Sequence, residues 1–200
     1  MYSNRDKIIL ASGSPRRQQY LKEMGLRFTV QTAAVDESAL DFENPVDFVK
    51  RMAQEKAAAI SSELQNCWVI SGDTVVCLGK RILGKPADKK EAVSQLMALS
   101  GREHHVITGF CVAHGSRKIN VVRSVTTRVV FADYPESLAR AYVATGESLD
   151  KAGAYGIQGK GIFLVKTIEG SYSNVVGLPL YELVEVLQAN GVIEPSDPIS

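Results

Sequence analysis

The chain has 200 residues, of which 23 are basic and 22 acidic, giving a formal net charge of +1. Surfaces dedicated to nucleic acid usually carry a strong basic excess, so this balance argues against such a partner; the hydrophobic fraction of 45% excludes a disordered chain. No apolar run approaches the ~20 residues of a membrane span, and the N-terminus lacks a signal-peptide core. We expect a single domain over residues 1–200, with its core at about 7–190 and no nucleic-acid or membrane partner.

Short apolar runs near the N-terminus predict strands at 7–11 and 28–31. Between these strands, Ser14 suits an N-cap, Pro15 the first helical position and Gly25 the C-terminal stop of a helix. A second helix is predicted after Asn44, because apolar residues recur at helical spacing from position 48 to position 60.

The rest of the chain alternates strands with helices. Apolar and alternating segments predict strands at 68–70, 75–78, 106–113, 121–131 and 162–168. Capping residues, prolines and glycines delimit helices at 88–101, 133–146 and 179–190. Two of the strands form a hairpin-like pair in the middle of the chain. This order predicts an α/β fold around a mixed, partly antiparallel central sheet flanked by helices.

The three cysteines lie in apolar stretches and include no C-x-x-C pair. An odd count without that pair disfavours a disulfide framework and a structural zinc site. The three histidines likewise lack the spacing of a metal site. The sequence therefore predicts buried free thiols and a reducing, cytoplasmic location.

The segment Ser12-Gly13-Ser14-Pro15-Arg16-Arg17 joins the first predicted strand to the first helix. Backbone N–H groups and the helix dipole attract anions at such a point, and a guanidinium fork binds two phosphate oxygens at once. The segment therefore suits a phosphate chain, with Ser12, Ser14, Arg16 and Arg17 as candidate ligands. An ordinary capped helix with solvated arginines is the alternative.

Three further side chains suit phosphate chemistry with a cation. Asp73 follows an apolar strand, so we expect it at a strand end or bend, where a carboxylate binds a hard cation or orients water; an ordinary turn aspartate is the alternative. Glu37 supplies a second acid. Lys56 lies on the apolar stripe of its helix, so its ammonium must extend to solvent or reach a buried anion, and we favour the anion.

Segment 151–159 is rich in small residues, which let a ligand approach the backbone. The amide of Gln158 both donates and accepts hydrogen bonds, which suits the edge of a nucleobase. A flexible loop is the alternative, but the aromatic and apolar residues of the segment favour an ordered one. Residues Gly79 to Lys85 fit the spacing G-x4-G-K, but Pro86 replaces the Ser or Thr that a P-loop needs. We reject a P-loop and keep Lys85 as a candidate phosphate ligand.

Six separated segments occur in the order typical of one family: Ala11-Ser12-Gly13-Ser14-Pro15-Arg16-Arg17, Gly72-Asp73-Thr74, Gly84-Lys85-Pro86, Thr108-Gly109, Lys151-Ala152-Gly153-Ala154-Tyr155-Gly156-Ile157-Gln158-Gly159 and Gly170-Ser171-Tyr172-Ser173-Asn174-Val175-Val176-Gly177-Leu178-Pro179. With these motifs the chain resembles the Maf family over nearly its whole length. The resemblance implies a nucleoside triphosphate pyrophosphatase that hydrolyses the α–β phosphoanhydride with a divalent cation. It also implies a deep cleft between two lobes, a fold related to the inosine triphosphate pyrophosphatases, and a cytoplasmic homodimer.

By this resemblance, Asp73 accepts the proton of the attacking water, and Arg16, Thr74 and Gln158 select the substrate. The sequence that ends at Gln158 is similar to the branch acting on dTTP and UTP, and modified pyrimidine nucleotides remain open as substrates. Gly72 departs from the family, which usually has Ala there.

The chemistry of the residues points to the same reaction. Hydrolysis of a phosphoanhydride needs dispersal of negative charge, a positioned water and a metal. We expect Lys56 and Lys85 to add positive charge, and Glu37 and Asp73 to hold Mg²⁺, or else Mn²⁺ or Co²⁺, together with the water. Which acid is the base and which the metal ligand stays open.

Two other functions are weighed against this one. The first is a non-catalytic, nucleotide-binding regulator of cell division, for which the near-neutral charge disfavours DNA as the partner. The second is a phosphomonoester or acid-sugar hydrolase, which is disfavoured because the anion-binding segment suits a longer phosphate chain.

Overall fold

The computed structural model describes residues 1–196, and within them the helices and strands alternate along most of the chain. In chain order the elements are β1 (Tyr2–Asn4), β2 (Ile8–Leu10), α1 (Pro15–Glu23), β3 (Phe28–Val30), α2 (Pro45–Ser61), β4 (Trp68–Leu78), β5 (Arg81–Leu83), α3 (Lys89–Leu99), β6 (Glu103–His114), β7 (Ile119–Phe131), α4 (Glu136–Ala144), β8 (Val165–Glu169), α5 (Tyr172–Val176), α6 (Leu180–Ala189) and β9 (Ile193–Pro195). Short 3-10 helices cover Ala152–Ala154 and Gly159–Leu164. None of the described helices is long and apolar enough to cross a membrane.

The main sheet has seven strands. Its order is β3-β2-β4-β6-β7-β8, with β5 paired to β4 outside this path, and β1 and β9 form a separate two-stranded sheet. Strand β2 pairs in parallel with β3 and β4, whereas β5 on β4 and β8 on β7 are antiparallel. The predicted α/β fold around a mixed, partly antiparallel sheet flanked by helices is therefore confirmed.

The chain divides into two compact units, each built from separate stretches of sequence. The first contains Met1–Asp73, Thr108–Ser124 and the chain from Gly177 onward, and the second contains Thr74–Ile107 and Val125–Val176. In the first unit, buried side chains of α2, such as Ala53 and Ile60, pack with residues of β2, β4 and β6. In the second, α3, α4 and the aromatic residues of β7 and its surroundings form the core. The single domain expected from the sequence stays a prediction.

Side-chain caps fix the N-terminal ends of two helices. Asn44 caps α2, because its side-chain oxygen accepts from the N–H groups of Val46 and Asp47, both at 3.0 Å. Asp88 caps α3 in the same way through Glu91 N at 2.8 Å. Ser14 occupies the N-cap position of α1, as predicted, but its side chain makes no capping hydrogen bond. The predicted position of the cap is therefore confirmed, whereas a cap made by the serine hydroxyl is not observed.

Two sequence predictions about strands were wrong. Asp73 lies inside the uninterrupted strand β4 rather than at a strand end or bend, because the strand pairs with β2 before this point and with β5 after it. The predicted strand at 162–168 begins only at Val165. The residues before Val165 form the 3-10 helix Gly159–Leu164 instead. Gly161 allows this compact turn to pack against the backbone of Gly156, because a Cβ at position 161 would lie 2.4 Å from the carbonyl oxygen of Gly156.

Gly109 on β6 marks the point where the sheet lies closest to α2. A Cβ at this position would lie 2.3 Å from the carbonyl oxygen of Val49 and 2.8 Å from the nitrogen of Lys50. Both contacts are to helix backbone, which cannot move aside as a flexible side chain would. Only a residue without Cβ allows β6 and α2 to pack at this distance.

We predict that Gly109→Ala lowers the free energy of unfolding by about 1–3 kcal/mol or more, because the added methyl forces the strand and helix apart. Gly84→Ala is the matched control, since a Cβ there meets no atom within 4 Å. Chemical denaturation of both variants tests the prediction. Equal midpoints for the two variants would contradict it.

Candidate active site

The ammonium group of Lys56 lies between two carboxylates in the first unit. Lys56 Nζ is 2.7 Å from Asp73 Oδ1 and 2.7 Å from Glu37 Oε1. The side chains of Lys56 and Asp73 are only 12% and 17% exposed, whereas that of Glu37 is 59% exposed. The prediction that Lys56 reaches an anion rather than solvent is therefore confirmed, and both predicted acids share it.

Two elements bring these groups together. Lys56 lies on α2 between the buried residues Ala53 and Ala57, so its stem packs with the apolar face and its amine extends beyond it. Asp73 lies on β4, and this strand is fixed to α2 by Ser71, whose buried hydroxyl donates to the carbonyl oxygen of Ala53 at 2.5 Å. The lysine and the aspartate thus come from two elements in direct contact.

Glu37 comes from the loop between β3 and α2, which has no regular secondary structure. Arg51 of α2 fixes this loop, because its guanidinium donates to both carboxylate oxygens of Glu43 at 2.7 and 2.8 Å and to the carbonyl oxygen of Ser38 at 2.9 Å. A further bond joins Arg51 to Glu55 at 3.2 Å. Sequence reasoning missed this role of Arg51; the spacing to Glu55 signals only an ordinary helical ion pair.

The predicted anion-binding segment belongs to the same unit. Arg17 donates from Nη1 to Ser12 Oγ at 3.0 Å and from Nε to the carbonyl oxygen of Gly177 at 2.7 Å. The same Ser12 oxygen accepts from the backbone N–H of Ser14 at 3.3 Å. Two of the Arg17 donors therefore hold protein groups, so this arginine orders the segment in addition to any contact with a ligand.

Electrostatics link this segment to the acid pair. Burial lowers the pKa of the Arg17 guanidinium, while the negative charges of Asp73 and Glu37 oppose that shift and the neighbouring charge of Arg16 adds to it. Geometry agrees, since a Cβ at Gly72, the residue before Asp73, would lie 3.5 Å from Nε of Arg17. The structure thus brings Ser12, Ser14 and both arginines together with Glu37, Lys56 and Asp73, as the sequence analysis requires.

The other three predicted site residues belong to the second unit. Thr74 follows Asp73 directly on β4. Lys85 is exposed and forms no ion pair with the part of the chain that the structure describes. Gln158 stands at the N-cap position of the 3-10 helix Gly159–Leu164. Their predicted roles in catalysis and substrate choice stay predictions.

The segment that carries Gln158 is fixed by buried aromatic residues. The hydroxyl of Tyr155 is 2.8 Å from Nε2 of His104, and the hydroxyl of Tyr142 accepts from the backbone N–H of Gly156 at 3.2 Å. His104 and Tyr155 are 1% and 5% exposed. The segment is therefore ordered, as predicted, through contacts between residues too distant in sequence to be inferred from a local pattern.

The residues present fit a hard divalent cation. Glu37 and Asp73 converge on one point, now held by the Lys56 ammonium, and their oxygens are the donors that Mg²⁺ prefers. Among residues 1–196, no group of three or more His, Cys, Asp or Glu side chains is placed to hold a metal. Mg²⁺ commonly uses one or two carboxylates together with water and phosphate oxygens, so two acids suffice.

The sequence matches the family model described as Maf-like protein over residues 7–190. The chain belongs to the Maf family. It is 52% identical over 193 residues to a dTTP/UTP pyrophosphatase of Desulfotalea psychrophila, and the aligned region covers 96% of this chain and 99% of that relative. A second dTTP/UTP pyrophosphatase, from Pelotomaculum thermopropionicum, is 46% identical over 185 residues, covering 92% of this chain and 97% of the relative.

Among solved structures, the Staphylococcus aureus Ham1 protein has the same fold. The match covers 92% of this chain and 97% of that one, with a TM-score of 0.54 and 13% sequence identity. At this identity the likeness concerns the fold alone. The family model and the two relatives confirm the resemblance that six sequence motifs indicated.

We predict that stability falls in acid because of His104. Burial, together with the charge of His105, lowers the pKa of His104 to about 4, whereas an unfolded histidine titrates near 6.5. Between these values the unfolded chain binds a proton that the folded chain does not, so the free energy of unfolding decreases as the pH falls, by about 3 kcal/mol in total. Chemical denaturation between pH 7 and pH 4 measures this slope.

The variant His104→Gln should flatten that slope, because no imidazole remains to take up the proton. His105→Gln is the control, since it removes only the smaller cause of the His104 shift and most of the slope should remain. A wild-type slope in His104→Gln would show that another group causes the acid sensitivity.

Proposed function

We propose that this Maf-family protein hydrolyses the α–β phosphoanhydride bond of dTTP and UTP to the nucleoside monophosphate and pyrophosphate. The observation that carries the proposal is the Lys56-bridged acid pair within electrostatic range of Arg17 and its loop. Acids that position water and cations that hold phosphate are the parts that this hydrolysis needs. The two relatives that carry the name dTTP/UTP pyrophosphatase support the choice of reaction and substrates.

The phosphate chain would bind at the segment that begins with Ser12. Arg16 and Arg17 supply guanidinium groups, which match pairs of phosphate oxygens. Ser12 and Ser14 shape the turn in front of α1, and Arg17 holds that turn in place through Ser12 Oγ. Binding at this point would bring the reacting phosphorus near the acid pair, because the Arg17 guanidinium lies beside Gly72, the residue before Asp73.

Asp73 would accept the proton of the attacking water. The water oxygen then forms a bond to the α-phosphorus, and the bond from that phosphorus to the α–β bridging oxygen breaks with its electron pair. Pyrophosphate leaves as the second product. Lys56 and Lys85 would disperse the negative charge that spreads over the phosphate oxygens.

Glu37 and Asp73 would hold the divalent cation, which in our proposal is Mg²⁺, with Mn²⁺ and Co²⁺ as other hard or borderline ions of this size. When bound, such a cation supplies positive charge to the phosphate oxygens and favours the ionised form of water. Glu37 remains a candidate base as well as a ligand, because both acids contact the same ammonium group.

Substrate choice in this proposal depends on Arg16, Thr74 and Gln158. The Gln158 amide would bond to the polar edge of the pyrimidine ring, since one amide offers both a donor and an acceptor. The fixed backbone at Tyr155 and Gly156 would hold it there. Modified pyrimidine nucleotides with the same edge are included among the candidate substrates.

We further propose a cytoplasmic homodimer, on the strength of the family resemblance. The three cysteines are free and buried, which agrees with a reducing compartment. Light scattering coupled to gel filtration checks the oligomeric state.

The proposal is tested with a panel of natural and modified nucleoside triphosphates. We expect pyrophosphate release from dTTP and UTP with Mg²⁺, and loss of this activity when a chelator removes the cation. Release of monophosphate and pyrophosphate, rather than of orthophosphate, identifies the bond that is cut. Binding of nucleotides without any hydrolysis would favour a non-catalytic, nucleotide-binding regulator of cell division instead.

We predict that Asp73→Asn lowers kcat for dTTP by about 10²–10⁴-fold, because an amide cannot accept the proton of water. Nucleotide binding, measured by calorimetry, should survive the change. Asp88→Asn is the matched control, since asparagine also caps helices and Asp88 serves α3 as its cap. Turnover of Asp73→Asn at the wild-type rate would remove Asp73 from the mechanism.

A further inference from the structure

Lys56 occupies the point where the two acids converge. Its single ammonium group contacts both Glu37 and Asp73 at 2.7 Å, and its side chain is only 12% exposed. An ammonium group at hydrogen-bonding distance neutralises carboxylates as a bound metal ion would, but without a coordination shell. The acid pair is therefore already supplied with a cation by the protein itself.

The charge of the surroundings adds to this effect. Glu37 and Asp73 carry two negative charges, and Lys56, Arg16 and Arg17 carry three positive ones within one electrostatic neighbourhood. A divalent cation that approaches the point between the two acids meets the ammonium of Lys56 already there. Like charges repel most strongly where solvent screening is weak, so this ammonium opposes entry of the ion.

We propose that Lys56 is the resident cation of the nucleotide-free site, so that the divalent ion enters only together with the nucleotide, as a metal–nucleoside triphosphate complex. This inference rests on the proposed function and deepens it, because it names the true substrate as the metal complex. The phosphate oxygens bring the negative charge that the free site lacks and supply most of the ligands of the ion, as is usual for Mg²⁺ in phosphate-handling enzymes.

The inference is tested first on nucleotide-free protein with Mn²⁺ as the probe, followed by electron paramagnetic resonance of the free ion. We expect wild-type protein to bind Mn²⁺ only in the millimolar range. Lys56→Met removes the ammonium and leaves two carboxylates facing one point, so the affinity for Mn²⁺ should rise on the order of tenfold or more.

Two variants control for the loss of charge. Lys56→Arg keeps a cation between the acids and should retain the weak binding of the wild type. Lys151→Met removes a lysine of similar exposure, which pairs with the single carboxylate of Asp150 in the second unit, and should also leave the affinity unchanged. If Lys56→Met fails to fold, as judged by circular dichroism, Lys56→Gln replaces it.

A second measurement adds a dTTP analogue whose α–β bridge resists hydrolysis. Calorimetry should show that the wild type binds the analogue on the order of tenfold tighter with Mn²⁺ than with a chelator, since the acids then contact an ion already held by phosphate.

Micromolar binding of Mn²⁺ to nucleotide-free wild-type protein would overturn the inference. So would a folded Lys56→Met or Lys56→Gln variant that gains no affinity for Mn²⁺, or an equal gain in Lys151→Met. Failure of the proposed function would give a different result, namely wild-type protein that releases no pyrophosphate from any nucleotide of the panel. The two failures can be told apart because the Mn²⁺ measurements need no turnover.

Discussion

The pairing of one ammonium with two carboxylates is the interaction on which the candidate site depends. Lys56 joins Glu37 and Asp73 at equal distances, so the three groups form a single charged cluster rather than three separate side chains. An unpaired carboxylate in the position of Asp73 would be costly, because most of its surface is removed from water. The cluster holds the two carboxylates close together around one cation.

The fold protects this cluster by fixing α2 tightly to the sheet. Gly109 lets β6 approach the helix backbone at a distance that no other residue allows, and Ser71 bonds β4 to the carbonyl oxygen of Ala53. Both contacts lie within one or two helical turns of Lys56. The reach of a lysine side chain is limited, so small displacements of the helix would separate its amine from Asp73. The packing of α2 against the sheet is thus a condition for the contact between Lys56 and Asp73.

Local patterns in the sequence were sufficient to predict some of this arrangement and insufficient for the rest. The apolar stripe of α2 and the cap at Asn44 depend on residues a few positions apart, and both predictions are confirmed. The continuous strand through Asp73 could not be inferred, because its pairing with β2 and β5 overrides the turn preference of Gly72 and Asp73. The pairing of β1 with β9 could not be inferred either, because it joins residues 2–4 to residues 193–195, far apart in the sequence.

An irregular segment in each unit carries one candidate functional group, Glu37 in the first and Gln158 in the second, and polar side chains that are buried or partly buried fix each segment. In the first unit, Arg51 bonds to Glu43 and to the carbonyl oxygen of Ser38, next to Glu37. In the second, His104 contacts Tyr155, three residues before Gln158. A loop fixed in this way retains a defined geometry without the backbone pairing of a strand or helix. The candidate acid Glu37 and the candidate base-binding amide of Gln158 therefore have separate supports, so a sequence can change one support while the other stays intact.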